Sequence, residues 1–268
     1  MDEGLQSAWI KLKRANLHAG IARREARAFY TRHPEPTLKI KPVGQSDHAI
    51  GSHFVFQLVV ENGWPDLPDF FSARFGDAIH NYRSALDHVA WQLVCHGSTP
   101  PQTLDEWAQS RVQWPSYSRE KTFRRKIGGR LPGVRKTIKD FIHTRHQYVG
   151  GNATNQGLMT LYHLSNEDKH KTLIDIRTSF LNIQHQIAFD DCLPVSVETP
   201  DVSPAPQNGA VVVTVECVVT KPKPHVTMQS QPTFHIALEG GRGFGDVLEQ
   251  IRVEVTEILN APEIRAGT

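Results

Sequence analysis

The feature that most constrains the fold is a long helical pattern between residues 69 and 94. Its large apolar residues recur at spacings of four, three, four, three and four, and they are Phe75, Ile79, Tyr82, Leu86, Val89 and Leu93. This heptad-like period is typical of a helix that packs along its length against another helix. The breaker run from Trp64 to Asp69 precedes the pattern and Gly97 follows it, so we predict a helix from Asp69 to Val94.

The flanking segments predict a mixed architecture. Residues 4–31 have the period of an amphipathic helix, and the segments 37–43 and 53–61 alternate as two strands of a hairpin. After residue 171 the period changes from helical to alternating, which predicts several antiparallel strands before a closing helix. Further helices are predicted at 134–145, 154–167 and 246–259. We expect one α+β domain over residues 1–268, with a helical portion at about 65–170 and a strand-rich portion at about 171–240.

Composition predicts a cytoplasmic protein outside the membrane. Hydrophobic residues make up 39% and charged residues 22%, which is the globular range. No window approaches 18 consecutive apolar residues, and Asp2 and Glu3 stand where a secretory signal carries positive charge. The three cysteines, Cys95, Cys192 and Cys217, are widely spaced without a C-x-x-C pair, which fits a reducing compartment.

One side of the long helix carries polar residues that are poor helix formers. At about 100° per residue, six of them share one sector. They are Asp77, His80, Asn81, Ser84, Asp87 and His88, with Arg83 on the flank. Exposed helix faces favour Glu, Lys and Gln, so this content favours a functional role. Two plainer interpretations stay open: a solvated face with an ordinary Arg83–Asp87 pair worth a few tenths of a kcal/mol, or a semi-buried interface of hydrogen-bonded histidines.

A second polar patch lies where the helical period ends, and it comprises Asn166, Asp168, Lys169 and His170. One interpretation is a helix C-terminus, where Lys169 and His170 complement the helix dipole. The other is that Asn166 and His170 face the long helix and complete its polar cluster.

The segment from Arg119 to His146 is strongly basic. It holds ten Lys or Arg against two acids, a net charge of +8, although the whole chain carries only +2. Such an excess concentrates polyanions, since phosphate contacts dominate nucleic-acid affinity. The candidates for contacting an RNA backbone are Arg124, Arg125, Lys126, Arg130, Arg135, Lys136 and Lys139. A solvated surface is the alternative.

The run from Arg83 to His88 is an R-x4-H sequence on a helix, and it resembles the motif of the HEPN superfamily, helical domains that include many metal-independent endoribonucleases. The resemblance covers about residues 65–170. It implies that Arg83 and His88, with Ser84 as the polar residue after the arginine, meet the same motif of a second protomer. The wording from His80 to His88, with the Asn-x-Asp-Lys-His run ending at His170, also resembles an uncharacterised bacterial family, for which no activity is implied.

Three functional hypotheses follow. The first is a metal-independent endoribonuclease without a cofactor, in which His88 is the general acid or base and Arg83 stabilises charge on the phosphoryl oxygens. His80, Asn81, Ser84 and Asp87 would complete that site. The second is a non-catalytic binding or assembly module. The third is a metal-dependent hydrolase using His80, Asp87, His88 and His170, although His80 and His88 lie about 12 Å apart along the helix and need other ligands.

The oligomeric state is predicted from the same helix. An isologous contact pairs a patch with itself, so we predict a homodimer with the segment from Asp77 to His88 at or beside its axis. Clustered His and Arg would repel on protonation, so dimerisation should weaken from about pH 7.5 to about pH 5.5.

Overall fold

The computed structural model describes residues 3–43, 49–96, 106–170, 173–199, 207–221, 225–238 and 241–268. For residues 3, 107–108, 169–170, 179–185, 225 and 228–234 it describes the backbone alone. The chain divides into two compact units. We call them the helical unit (Met1–Glu25, Asp69–Ile174 and Gly245–Thr268) and the strand unit (Ala26–Pro68 and Asp175–Phe244). The predicted α+β class is confirmed, whereas the single domain stays a prediction.

The helices bear out most of the sequence pattern. After a 3-10 turn at Glu3–Leu5 they are α1 (Gln6–Arg32), α2 (Phe70–Cys95), α3 (Glu106–Gln109), α4 (Glu120–Arg130), α5 (Lys136–Arg145), α6 (Gln156–His170), α7 (Phe244–Asn260) and α8 (Pro262–Arg265). A short hairpin of β3 (Tyr148–Val149) and β4 (Asn152–Ala153) separates α5 from α6. The helix α4 is not predicted from sequence, because Gly128 and Gly129 in its last turn read as a turn signal.

The heptad stripe of α2 forms the core of the helical unit, and all six of its members are fully buried. Contacts with α1 run antiparallel, since Glu25 pairs with Arg74 at 3.4 Å and Tyr82 donates to Asn16 at 2.8 Å. α6 approaches α2 at Gly76, where a Cβ atom would lie 2.7 Å from the Asp168 carboxylate. Burying this stripe fixes the rotation of α2, and therefore decides which side faces outward.

The strand unit contains a four-stranded antiparallel sheet in the order β1-β2-β7-β6. Its strands are β1 (Leu38–Val43), β2 (His53–Val60), β6 (Cys192–Glu198) and β7 (Val211–Val219), and a separate antiparallel ladder pairs β5 (Ile176–Asp190) with β8 (His225–Leu238). The predicted β1–β2 hairpin is confirmed, with Leu38 opposite Val60. Phe56, Val213 and Cys217 are among the buried residues of the sheet's core.

Candidate functional site

The polar sector of α2 divides into an exposed part and a buried part. Asp77 and His80 are exposed, while Asp87 and His88 are half-buried. Asn81 is only 7% exposed, and its side-chain amide donates to the Asp77 backbone carbonyl at 2.7 Å. The Asn81 side chain therefore hydrogen-bonds to the backbone of its own helix.

Two aromatic residues extend the exposed side of α2. Phe70 is 47% exposed and Trp91 36% exposed. With Asp77 and Ser84 they recur every seven residues, which places all four on one line along the helix. We call this surface the outer stripe of α2; it comprises Phe70, Asp77, His80, Ser84, His88 and Trp91. The sequence pattern did not single out the two aromatics, because apolar residues on a helix are expected in the core.

Arg83 lies inside the helical unit rather than on the outer stripe. Its side chain is engaged by three internal groups, and the residue is only 8% exposed. One Nη donates to Ser116 Oγ at 3.0 Å and the other to the Trp114 carbonyl at 2.7 Å, while Nε lies 3.3 Å from Asp87 Oδ1. These contacts use every nitrogen of the guanidinium group. Arg83 therefore binds groups of the protein itself.

The Arg83–Asp87 pair fastens the segment 114–116 to α2. Asp87 Oδ1 also accepts a hydrogen bond from the Trp114 backbone N–H at 2.8 Å, and Trp114 itself is fully buried. The carboxylate is therefore held in position one residue before His88. Arg83 acts on this site through Asp87, as a positioning residue.

His88 is the titratable group of the outer stripe with a resolved perturbation. Burial lowers the pKa of His88, Lys11 on α1 lowers it further, and the neighbouring Asp87 raises it to a smaller extent. The imidazole is consequently neutral at neutral pH. A half-buried histidine whose neutral form is favoured, within the field of a positive charge, is suited to accept a proton next to bound anionic charge.

The second patch is only partly brought to α2. Asp168 lies against Gly76, whereas Asn166 is exposed and Ser165 is buried. The side chains of Lys169 and His170 lie outside the described residues. Among the side chains of this patch that the structure describes, Asp168 is the one that lies against the long helix.

Several basic residues of the segment 119–146 contact other groups of the protein. Arg130 donates to the Tyr117 hydroxyl and the Arg111 carbonyl, Arg135 to the Ala266 carbonyl, and Lys136 to Asp140. The Lys126 ammonium lies 5.7 Å from the centre of the Tyr117 ring, and burial lowers the pKa of Lys139. These contacts use much of the positive charge in structural roles.

Three cations of this segment, Arg119, Lys121 and Arg124, line a cleft that the sequence did not reveal. The cleft has a volume of about 500 Å³ and is lined by Arg119, Glu120, Lys121, Arg124, Gly150, Gly151 and Asn152. His143 Nε2 lies 2.9 Å from Glu120 Oε1 at its inner side. No sequence pattern links Glu120 with His143, because they lie 23 residues apart on different helices.

Within the segments that the structure describes, no group of three or more His, Cys, Asp or Glu side chains is arranged to hold an ion. His80 and His88, from the third hypothesis, are not brought together with a third such ligand there.

None of the described helices combines the length and apolar character needed to cross a bilayer. Comparison with known proteins gives no match: no family model fits the sequence, and no curated protein and no solved structure is significantly similar to it.

Proposed function

We propose that this chain is a metal-independent endoribonuclease that acts as a homodimer through the outer stripe of α2, as the HEPN-like motif implies. The observation that carries the proposal is His88. Its imidazole is kept neutral, is half-buried, and lies on an outward helix face beside Lys11 and the fixed carboxylate of Asp87. Such a group meets the requirements of a general base at neutral pH.

The proposed reaction needs only proton transfer and charge stabilisation. The base takes the proton of a ribose 2′-hydroxyl, the 2′-oxygen attacks the adjacent phosphorus, and the bond to the 5′-oxygen breaks. The products are a 2′,3′-cyclic phosphate and a 5′-hydroxyl end, the latter completed by a proton from an acid. Both copies of His88 start neutral, so each can serve as a base and the proton for the 5′-oxygen comes from solvent water; a two-fold dimer brings the two bases to one seam.

We assign the stabilisation of charge on the phosphoryl oxygens to Lys11 instead of Arg83. Every guanidinium nitrogen of Arg83 is engaged inside the unit. The positive charge of Lys11 lowers the pKa of His88, and the same charge would favour a phosphate bound at His88. Arg83 supports the site indirectly, because it holds Asp87 next to His88.

The outer stripe supplies the proposed dimer contact. Exposed aromatic residues rank among the strongest contributors to protein interfaces. Phe70 and Trp91 flank the histidines at both ends of the stripe, so a self-paired contact would enclose His80 and His88 between apolar ends.

The direct test is cleavage of a fluorescently labelled single-stranded RNA in EDTA by protein purified without a metal-affinity tag. We expect His88→Ala to lose about 100-fold or more in rate, the usual contribution of a general base. His163→Ala, an exposed histidine on α6, is the matched control and should cleave at the wild-type rate. Equal rates for wild type and His88→Ala would overturn the proposal.

A second candidate is the non-catalytic assembly module. The buried, fully engaged Arg83 favours it, because a structural arginine explains the R-x4-H spacing without chemistry. Salt titration separates the two functions, since RNA binding through phosphate contacts must weaken steeply as salt rises. A stable dimer with no RNA binding at low salt supports the assembly module.

A further inference from the structure

The cleft beside α4 is held in shape by contacts between its two walls. Glu120 N–H donates to the Gly151 carbonyl at 2.8 Å, and Ala153 N–H donates to the Ser118 carbonyl at 2.7 Å. These bonds tie the β3–β4 turn to the start of α4. The turn requires positive φ at both glycines, +57° at Gly150 and +80° at Gly151, so its wall is backbone without side chains.

Glu120 fixes the orientation of Arg124 on the opposite wall of the cleft. Its Oε1 accepts from Arg124 Nε at 2.9 Å and Nη2 at 2.6 Å, and the same oxygen lies 2.9 Å from His143 Nε2. The Arg124 side chain is nevertheless 66% exposed, and its second terminal nitrogen keeps two N–H donors. Arg124 is thus oriented before any ligand arrives, which lowers the entropy cost of binding.

The cleft has an excess of positive charge. Arg119, Lys121 and Arg124 line it against the single carboxylate of Glu120, a formal net charge of +2. Arg124 and His143 already hold that carboxylate, and their hydrogen bonds lower its pKa. Lys121 has no hydrogen-bond or ion-pair partner among the described residues. Asn152 adds a neutral amide to the lining.

We propose that this cleft binds a phosphomonoester group, the dianion at the 5′ end of an RNA strand or on a mononucleotide. A dianion matches the net charge of +2, and a planar guanidinium with an ammonium beside it suits a terminal phosphate. A volume of about 500 Å³ also accommodates a nucleotide-sized ligand. The inference is independent of the proposed ribonuclease activity, because it involves no residue of the outer stripe.

The test compares two 2′-O-methyl oligonucleotides of one sequence, with and without a 5′-phosphate, by fluorescence anisotropy on the full chain. Methylation blocks attack by the 2′-oxygen, so cleavage does not enter the readout. We expect the phosphorylated strand to bind about tenfold more tightly, a difference of about 1.4 kcal/mol. Lys121→Gln should reduce the ratio of the two affinities to below about two, and Arg119→Gln should act in the same direction.

Arg125→Gln is the matched control, because Arg125 is an exposed cation of the same helix outside the cleft. It should weaken both oligonucleotides alike and preserve their ratio. Competition with a nucleoside 5′-monophosphate assigns the source: displacement of the phosphorylated strand indicates a nucleotide, and no displacement indicates an RNA end. Equal binding of the two strands, or loss of the ratio in Arg125→Gln as well, would overturn the proposal.

Discussion

Two arginines of the helical unit each pair with a carboxylate one helical turn away, but one arginine is buried and the other is exposed. Arg83 pairs with Asp87 and Arg124 with Glu120, each at an i,i+4 spacing on a helix. Arg83 is buried, and each of its nitrogens contacts a protein group. Arg124 is mostly exposed and keeps two donors free. One arginine holds the protein together, and the other is presented to solvent.

The difference shows that spacing within a helix does not reveal what an arginine does. The role of the arginine depends on which segment of the chain packs over it. Trp114 and Ser116 cover Arg83, whereas Arg124 lines an open cleft together with the turn at Gly150 and Gly151.

The largest expected effect is the loss of stability on removing Arg83. Arg83→Ala leaves Asp87 and the Trp114 carbonyl without their cation, and breaking such a largely buried pair costs about 3 kcal/mol or more. Arg83→Lys keeps the charge and loses the fork of hydrogen bonds, so its loss should be intermediate. Urea denaturation measures both, and Arg124→Ala should unfold at the wild-type midpoint. Equal midpoints for Arg83→Ala and Arg124→Ala would show that the difference in burial does not give the two arginines different roles in stability.

Acid should destabilise the buried region that contains His146. His146 is fully buried and shares a hydrogen bond with the Ile142 carbonyl through Nδ1, and burial lowers its pKa from 6.5 to about 4. The unfolded chain therefore binds this proton more readily than the folded chain does between pH 6.5 and about 4. Stability is complete above that window and falls by about 3 kcal/mol as pH drops through it.

Urea midpoints at pH 7, 5.5 and 4.5 measure this loss. His146→Asn can keep a donor to the Ile142 carbonyl and has no proton to gain, so its pH slope over this range should be smaller than that of the wild type. An unchanged slope in the variant would assign the acid sensitivity to other groups.

The outer stripe should control dimerisation with a smaller energy. Trp91→Ala removes an exposed aromatic at one end of the proposed seam, and we expect the dimer dissociation constant to rise about tenfold. Val253→Ala removes an exposed apolar side chain on α7 and should leave that constant unchanged. Analytical ultracentrifugation measures both. A wild-type monomer at high protein concentration contradicts the dimer.

The smallest expected effect is the pH dependence of the dimer. Protonation of histidines at a self-paired seam adds like charges, so association should weaken as pH falls from about 7.5 to about 5.5. Because the pKa of His88 is lowered, its share of the effect should appear toward the acidic end of this range. His88→Ala should reduce the loss of association near pH 5.5 in the same sedimentation experiment. An identical loss in the variant would exclude His88 from the seam.

Sequence patterns predicted the elements that depend on local periodicity. The core stripe of α2 and the β1–β2 hairpin follow from spacings within one segment, and both are present. What covers a residue depends on distant segments, so the burial of Arg83 by residues 114–116 was not predictable. The cleft is formed by α4, α5 and the β3–β4 turn together, so the sequence of any one of these segments does not predict it.

In the proposed reaction a neutral His88 removes the proton from the ribose 2′-hydroxyl of RNA. This role can be measured as the pH dependence of single-turnover RNA cleavage in EDTA. We predict that wild-type cleavage falls on acidification with an apparent pKa below 6.5, in line with the lowered pKa of His88, and that His88→Ala cleaves too slowly to show this decrease. A cleavage rate that is independent of pH between about 5 and 7, or one that His88→Ala retains, would exclude His88 as the base.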